Sequence, residues 1–444
     1  MNMNQICPNL KEKVVVHEND NFPRECFYEK YSSIAEYLRQ RGVITEEDRG
    51  NKIRFSFVGI VIAKKFIIKC LPKFSADEKD LEKVLKTLWK LAAHSKKKSF
   101  YGHDYYQAEK ENEDYLFLLR SLVYDYLENG IYRDEHVVTE QSCLGTIDWD
   151  KSISEKIAYI QNGRPVYVDL FSKHSQDDPN NFFTKLHQSI LTQIYRDFQS
   201  LDLLKVLNIP NLIFGDAIDL EEFGSIKELK TYIKREISIS FENRKIYLLN
   251  LFLLYLDYKE LGAKFGDITI LGTSSFDNVW EELCRNVFQV SVGKEIYKER
   301  MQAAEWSDNT GKLIKQSRKM NPDIVIRENF QNKNYLIIAD AKYYLIGSEF
   351  NNIPGVEDIV KQHVYEMFFV SSDDSRVNCL LFPTSKNEPQ LLGTVEIPIF
   401  RSYLSNTIKV LALPMQEILD CYLTNQRKSL MELLFNFGCI KNIC

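Results

Sequence analysis

Paired cysteines, nucleotide-binding loops, membrane-length apolar runs and excess positive charge are all missing from this chain, and each absence removes a class of function. The nine cysteines are scattered, with no CxxC pair and no Cys/His spacing suited to zinc, so the expected state is reduced cysteines used in packing. No GxxxxGK[ST] loop occurs, which excludes a nucleotide-driven motor of the P-loop kind. The most apolar run, IYLLNLFLLYL from Ile246 to Leu256, is well short of the roughly 20 residues that cross a bilayer and reads as a buried helix or strand. The opening MNMNQICPNLKEKVVV has neither the basic start nor the apolar core of a signal peptide, so the expected location is cytoplasmic. A net charge of −5 and a pI near 5.9 exclude a basic nucleic-acid coat, leaving phosphate contacts to local patches.

What remains is a folded protein, 44% hydrophobic, long enough for two or three domains. It has no repeat, low-complexity tract or long Pro/Gly linker, so boundaries rest on changes of pattern. Residues 1–150 read as a mixed β-plus-helix module. IRFSFVGIVIAKKFIIKCLPKF, residues 53–74, predicts two β-runs around a turn at Ala63-Lys64-Lys65, followed by a helix from Asp80 to His94 and a second ending near Gly130. Residues 151–265 read as mostly helical, with FFTKLHQSILTQIYRDF and SIKELKTYIKREI apolar at three- and four-residue intervals. From 266 to 444 a helix (DNVWEELCRNVF), a strand pair, a helix (EDIVKQHVYEMFF) and a further strand (CLLFP) predict an α/β domain, making the whole an α/β multidomain chain.

In that last region, NPDIVI is followed by YLIIADAKYY. If Tyr335 to Tyr343 is a strand, Asp340 and Lys342 project from one face. If Asp323–Arg327 pairs antiparallel with Leu336–Asp340 so that Arg327 meets Leu336, Asp323 meets Asp340, with Cβ atoms roughly 4.5–5.5 Å apart. Two carboxylates that close repel unless a cation lies between them, and a divalent metal suits the place. Lys342 could then orient an attacking water and stabilise charge on a phosphate, with the Ala341 carbonyl as a further metal ligand. Acid-x-Lys alone says little, since Asp77-Glu78-Lys79, Glu228-Leu229-Lys230 and Asp257-Tyr258-Lys259 also fit. Of these, Asp340 is the one that ends an apolar strand behind the chain's single Pro-Asp pair, Pro322-Asp323. On spacing alone a second reading stays open, in which Asp323 caps a turn and Asp340 with Lys342 makes an exposed edge-strand ion pair.

Pro322-Asp323 with Asp340-Ala341-Lys342 resembles the signature of the PD-(D/E)xK nuclease superfamily, and DAKYY narrows the resemblance to McrC-like and LlaJI-type restriction endonuclease subunits. FVGIVIAKKFIIKCLPKF, a Val-Gly-Ile-Val-Ile run leading to Pro72-Lys73, and ENGIYRDEHVVTEQSCLGTIDWDKSI are similar to the same family, so the resemblance spans most of the chain. It implies a C-terminal nuclease domain with a central mixed sheet flanked by helices, hydrolysing DNA phosphodiester bonds in an anti-phage restriction system. It also implies Mg²⁺, or Mn²⁺ in its place, at Asp323 and Asp340. The partner it implies is a separate AAA+ GTPase of the McrB type, bound by the N-terminal module and supplying the only use of GTP. No membrane partner is expected.

Such nucleases usually add an acid from the preceding helix, here Glu281 with Glu282 as the alternative. Many relatives carry Gln-x-x-x-Tyr on the later helix; this chain has Lys361-Gln362-His363-Val364-Tyr365, one residue short, so Gln362 is a candidate for orienting substrate and Tyr365 reads equally as core. Lys312, Lys315, Arg318 and Lys319, upstream of Pro322, are candidate DNA-phosphate contacts or a solvated face. Lys96-Lys97-Lys98 reads as a surface loop, His363 as a helix-face residue, and Trp89 and Trp149 as core. Two other readings stand beside the nuclease: a non-catalytic nuclease-like scaffold that docks on and activates an NTPase, and a stand-alone DNA repair nuclease.

Overall fold

The computed structural model describes residues 13–440 apart from 64–65, 76, 95–114, 134, 142–144, 179–180, 201–202, 216, 265–267, 289–304, 317–319, 347–352, 370–374, 403 and 405–406. They form two compact units, one from the described residues within 13–94, 115–116 and 262–440, the other from those within 117–261. Mixed α/β architecture runs through both.

The first unit contains two principal sheets. In one, β1 (Lys13–His17), β6 (Phe66–Leu71), β5 (Val58–Ala63) and β12 (Thr269–Thr273) lie in that order. β1 runs parallel to β6 and the other pairs are antiparallel. Gly59 of the Val-Gly-Ile-Val-Ile run stands opposite Gly272. A Cβ on Gly59 would come 2.2 Å from the Leu271 carbonyl, and one on Gly272 2.2 Å from the Val58 carbonyl, so this close crossing requires glycine on both strands. The apolar stretch expected as two β-runs is three strands, because β4 (Lys52–Phe55) leaves before Ser56-Phe57 to join a smaller sheet with β2 (Asn21–Pro23) and β3 (Ile44–Glu47). β5 and β6 pair as far as Ala63 and Phe66, while Lys64 and Lys65 lie outside the described residues. The helix Asp80–His94 forms over the expected span and buries Leu81, Val84, Leu85, Leu88 and Trp89.

The other sheet has five strands in the order β15 (Ile324–Phe330), β16 (Lys333–Ala341), β17 (Ser375–Thr384), β19 (Ile408–Pro414), β18 (Gln390–Val395). The outer pairs are antiparallel and the inner pairs, β16 with β17 and β17 with β19, are parallel. β16 is buried without a break from Tyr335 to Ala341, the continuous apolar pattern of an interior strand with parallel neighbours. β15 and β16 close through Gln331 and Asn332, whose φ values of 50° and 61° suit the twist of a two-residue hairpin. A separate two-stranded ribbon joins β13 (Glu305–Ser307) to β14 (Leu313–Gln316).

Helices Phe276–Phe288, Val356–Met367, Met415–Leu423 and Leu430–Asn436 accompany this sheet. The first buries Phe276, Val279, Trp280, Leu283, Cys284, Val287 and Phe288, one stripe at helical spacing. Trp280 Nε1 donates to the Leu381 carbonyl at 3.2 Å, tying that helix to β17. Leu336 and Ile338 of β16 pack with Tyr365 and Phe369, so the even-numbered side chains of β16 face the helix Val356–Met367.

The second unit carries β7 (Glu135–Glu140), β11 (Ser172–Asp177) and β8 (Thr146–Ile147) as one sheet, the hairpin β9 (Tyr159–Gln161) with β10 (Arg164–Val166), and the long helices Phe182–Ser200, Ile226–Ile239 and Asn243–Lys264. Strands β9 to β11 stand beside these helices within residues 151–265. The run Ile246–Leu256 is helical, with Leu248, Leu249, Leu251, Phe252, Tyr255 and Leu256 buried. Gly130 ends the helix Tyr115–Asn129 with φ 71°, its N–H donating to the Tyr126 carbonyl at 2.8 Å. Trp149 is not core but 52% exposed, since hydropathy alone does not separate a buried indole from a surface one. Cys70, Cys284, Cys379, Cys421 and Cys439 are free, whereas Cys26 departs from the expected reduced state and is disulfide-bonded. Among the described residues no helix is long and apolar enough to cross a membrane.

Candidate active site

The hairpin has the register that the apolar pattern predicts. Arg327 pairs with Leu336 and Ile324 with Ala339, which carries Asp323, one residue before β15, to the position across from Asp340. Asp323 Oδ2 accepts from the Ala341 N–H at 2.9 Å. Its Oδ1 lies 3.4 Å from an Arg285 guanidinium nitrogen, while its carbonyl accepts from Arg285 Nε at 3.2 Å. One arm of the hairpin is thereby held to the other by a side chain, and to the helix Phe276–Phe288 by an arginine.

Asp340 is 3% exposed. Lys342 Nζ stands 3.0 Å from Asp340 Oδ2 and 2.9 Å from Asp358 Oδ1, on the first turn of the helix Val356–Met367. The Lys342 N–H donates to the Leu381 carbonyl at 2.8 Å, the same oxygen that receives the Trp280 indole. This shared carbonyl ties the lysine strand and the Glu281 helix to one point of β17. Asp340 is buried on interior strand β16 and the side chain of Lys342, just past its end, is 14% exposed, so the two do not form an exposed edge pair.

Negative charge accumulates here. Burial first, then the charges of Asp340 and Glu281, push the Asp323 carboxyl up to about 7, against the pull of the Ala341 N–H and Arg285. Glu281 is raised by burial and then by Asp340, and lowered by Lys342 and Arg285, so it belongs to the same electrostatic cluster. Glu282 bonds Arg285, the same guanidinium that reaches Asp323, and Asn286, whose Nδ2 lies 2.8 Å from its carboxylate. Burial works against the Lys342 ammonium, yet Asp340 and Asp358 together hold its pKa above the ordinary lysine value.

Gln362 sits beneath this cluster, 1% exposed. Its Nε2 donates to Asn378 Oδ1 at 2.6 Å, to the Cys379 carbonyl at 3.2 Å and to the Ile338 carbonyl at 3.3 Å. Tyr365 is fully buried and donates to the Asn321 carbonyl at 3.0 Å, just before Pro322-Asp323. His363, expected on a helix face, is buried, accepts from the Ile397 N–H at 3.3 Å and stacks on Phe400. Lys312 is exposed beside β14, and Lys315 lies within β14. Arg318, Lys319 and Lys96-Lys97-Lys98 lie outside the described residues.

Residues 57–415 match the profile of the LlaJI restriction endonuclease, a span that takes in the hairpin, the Glu281 helix and Asp358. The chain belongs to the LlaJI restriction endonuclease family. Over 425 residues this LlaJI-family chain is 26% identical to the type II restriction enzyme BsuMI component YdjA of Bacillus subtilis (strain 168), covering 90% of this chain and 87% of that protein. A chain of the Thermococcus gammatolerans assembly of McrB AAA+ hexamers with bound McrC aligns with 93% of this chain and 99% of its own length, at 13% identity and a TM-score of 0.41. A chain of the McrBC complex from the same organism aligns with 63% of this chain and 89% of its own length, at 11% identity and a TM-score of 0.28.

Two members of the cluster escape a reading of the sequence. Arg285 lies four residues after Glu281, a spacing that places both on one helix face and offers a signal in hindsight. Asp358 has no local signal, because its partnership with Lys342 is made only when the helix Val356–Met367 folds back on β16.

Proposed function

We propose that this chain is the metal-dependent endodeoxyribonuclease subunit of an anti-phage restriction system. One observation carries the reading: two carboxylates, Asp323 and Asp340, brought opposite each other at the end of a buried hairpin, with Lys342 Nζ 3.0 Å from Asp340. Among the described residues no group of three or more His, Cys, Asp and Glu is placed to hold a metal ion by itself. Mg²⁺ takes one or two carboxylates and completes its shell with water and substrate oxygens. Asp323 and Asp340 would hold it, with the Ala341 carbonyl and Glu281 as further oxygen donors and Mn²⁺ as the alternative ion. When bound, such an ion neutralises phosphate charge and lowers the pKa of water.

The remaining work falls to the chain. Arg285 and the Ala341 N–H fix Asp323, so its carboxylate needs little reorganisation to meet a ligand. Lys342, held as an ammonium between Asp340 and Asp358, donates to the scissile phosphate or to the attacking water and stabilises the charge that builds on the phosphate oxygens. Buried Gln362 spans β16 and β17 and keeps their ends aligned. Lys312, Lys315, Arg318 and Lys319 supply charge for DNA phosphates without reading bases.

We assign nucleotide use to a separate subunit, an AAA+ GTPase of the McrB type bound by the N-terminal module. The absence of a P-loop in this chain and the naming of the BsuMI relative as a component both support a multi-subunit enzyme. The test is plasmid cleavage in Mg²⁺, with and without the GTPase, comparing wild type with Asp340→Ala. Cleavage that depends on Asp340 is expected. Equal cleavage by both proteins would remove the proposed site.

A further inference from the structure

Neither the Pro72-Lys73 pair nor the Gly59 strand has a part in the chemistry described so far. Both lead to the candidate active site. Lys73 follows β6, and its Nζ donates to the Tyr343 carbonyl at 2.9 Å while lying 3.9 Å from the centre of the Tyr343 ring. Tyr343 is the residue directly after Lys342. Its hydroxyl donates to Glu18 Oε2 at 2.7 Å, and Glu18 follows β1, its own N–H bonded to the Leu71 carbonyl at 2.8 Å. The Tyr343 ring packs against Phe74 at 5.3 Å and Phe276 at 5.4 Å between centroids. Phe276 opens the helix that carries Glu281, and β12, which feeds that helix, is paired to β5 through the Gly59–Gly272 crossing.

We propose that Lys73 and Glu18 are positioning residues for the nuclease centre, holding Tyr343 so that Lys342 and the Glu281 helix are presented together. The inference rests on the nuclease reading above. β16 ends at Ala341, so Lys342 and Tyr343 lie beyond the ladder and need other anchors. On the β17 side the Lys342 N–H has the Leu381 carbonyl, and on the N-terminal side the Tyr343 carbonyl has Lys73. A peptide fixed at both ends gives its side chain a narrow range of directions. An ammonium on a flexible four-carbon stem has to be aimed from its backbone as well as from its tip. The cation above the ring and the hydroxyl bond to Glu18 make the hold specific to tyrosine, lysine and glutamate together.

The experiment compares Lys73→Met, Lys73→Arg and Tyr343→Phe in the full chain, alongside wild type and Asp340→Ala, by steady-state cleavage of a supercoiled plasmid in Mg²⁺. For Lys73→Met, kcat should fall about 10- to 100-fold with KM and melting temperature near wild type, the size expected of a misplaced but present catalytic group. Lys73→Arg, which can still donate to the Tyr343 carbonyl, should recover much of the loss, and Tyr343→Phe should lose less than Lys73→Met. A second readout needs no cleavage: in the metal-free chain, amide hydrogen exchange in the peptide spanning residues 338–344 should speed up at least about 10-fold in Lys73→Met, because the anchor of that segment is gone. Wild-type exchange in that peptide would overturn the proposal whether or not DNA is cut. So would a loss of kcat that follows a fall in melting temperature and is not restored by arginine. If Asp340→Ala cleaves as wild type does, the nuclease reading fails; if Asp340→Ala is dead and Lys73→Met is normal in both assays, only the positioning role fails.

Discussion

Two charged clusters lie along the same pair of strands, and they are built in opposite ways. At the end of β16, Asp323, Asp340, Glu281 and Asp358 face the two cations Lys342 and Arg285. Beneath them, where Ile338 pairs with Asn378, Glu366 meets Arg376 at 3.6 Å and accepts from Asn378 Nδ2 at 3.1 Å, and Asn378 exchanges bonds with Gln362. The lower cluster matches each charge with its opposite inside the protein. The upper one keeps surplus negative charge and so stores an electrostatic demand that a cation can meet. Burial is similar, with Asp340 at 3% and Glu366 at 0% exposure, so pairing and not depth distinguishes the two clusters.

Crossed substitutions test that contrast most strongly. Asp340→Asn should reduce Mg²⁺-supported cleavage at least about 100- to 1,000-fold, the scale of losing one preorganised electrostatic group, with a smaller loss of stability because relief of its repulsion with Asp323 and Glu281 offsets the lost pair with Lys342. Glu366→Ala should do the reverse at first hand, costing about 3–5 kcal/mol of stability in chemical denaturation, since Arg376 and Asn378 lose a buried acceptor. If Glu366→Ala unfolds no more easily than wild type, the lower cluster is not a lock and the contrast collapses.

The upper cluster was far more legible in the sequence than the lower. Asp323 and Asp340 could be paired because two apolar arms fix one register, and a slip of one residue would turn Ile324, Ile326, Ile337 and Ala339 to the wrong face. Glu281 comes from the resemblance, as the acid after the aromatic Trp280 with Glu282 as the alternative, and the spacing of the helix alone does not choose between them. Asp358, Glu366 and Asn378 could not be read, because each meets its partner only when the later helix packs on the sheet, and nothing in EDIVKQHVYEMFF marks which acids turn inward. Glu18 is the extreme case, bonded to a residue 325 positions away. Trp149 failed for another reason: a hydrophobic residue in a short helix carries no sign of whether its exposed face is covered.

Acidity offers a gentler separation. Asp323 is raised to about 7 in the folded metal-free chain from an ordinary value of 3.8. Its protonated form is therefore favoured by folding, so its contribution to stability is fully present below pH 3.8 and is lost as pH rises through about 7. The metal-free protein should lose stability over that window by up to about 1.4 kcal/mol per pH unit, less what Arg285 and entering water screen. Asp323→Asn should flatten the slope and melt higher than wild type at pH 8. Saturating Mg²⁺ should raise the wild-type melting temperature at pH 8 and leave Asp323→Asn nearly unmoved, since an ion that binds only the folded state stabilises it by mass action. A wild-type melting temperature at pH 8 that ignores both Mg²⁺ and the substitution would mean the surplus charge is not there.

The smallest expected effect concerns Asp358, which sits at the boundary between the two designs. It lies on the helix that carries Gln362 and Glu366, yet it reaches up to Lys342 at 2.9 Å and is a quarter exposed. If its task is to keep the ammonium aimed while Asp340 is occupied with a cation, Asp358→Asn should lower kcat about 10-fold through lost orientation, with KM unchanged. Asp358→Glu should not restore it fully, because the longer side chain displaces the amine it holds. Its stability cost should stay below about 1 kcal/mol, as for a partly solvated ion pair. Were Asp358→Asn instead to unfold the protein as readily as Glu366→Ala, the residue would belong to the lower cluster, and the upper one would have to aim its lysine through Asp340 and the backbone alone.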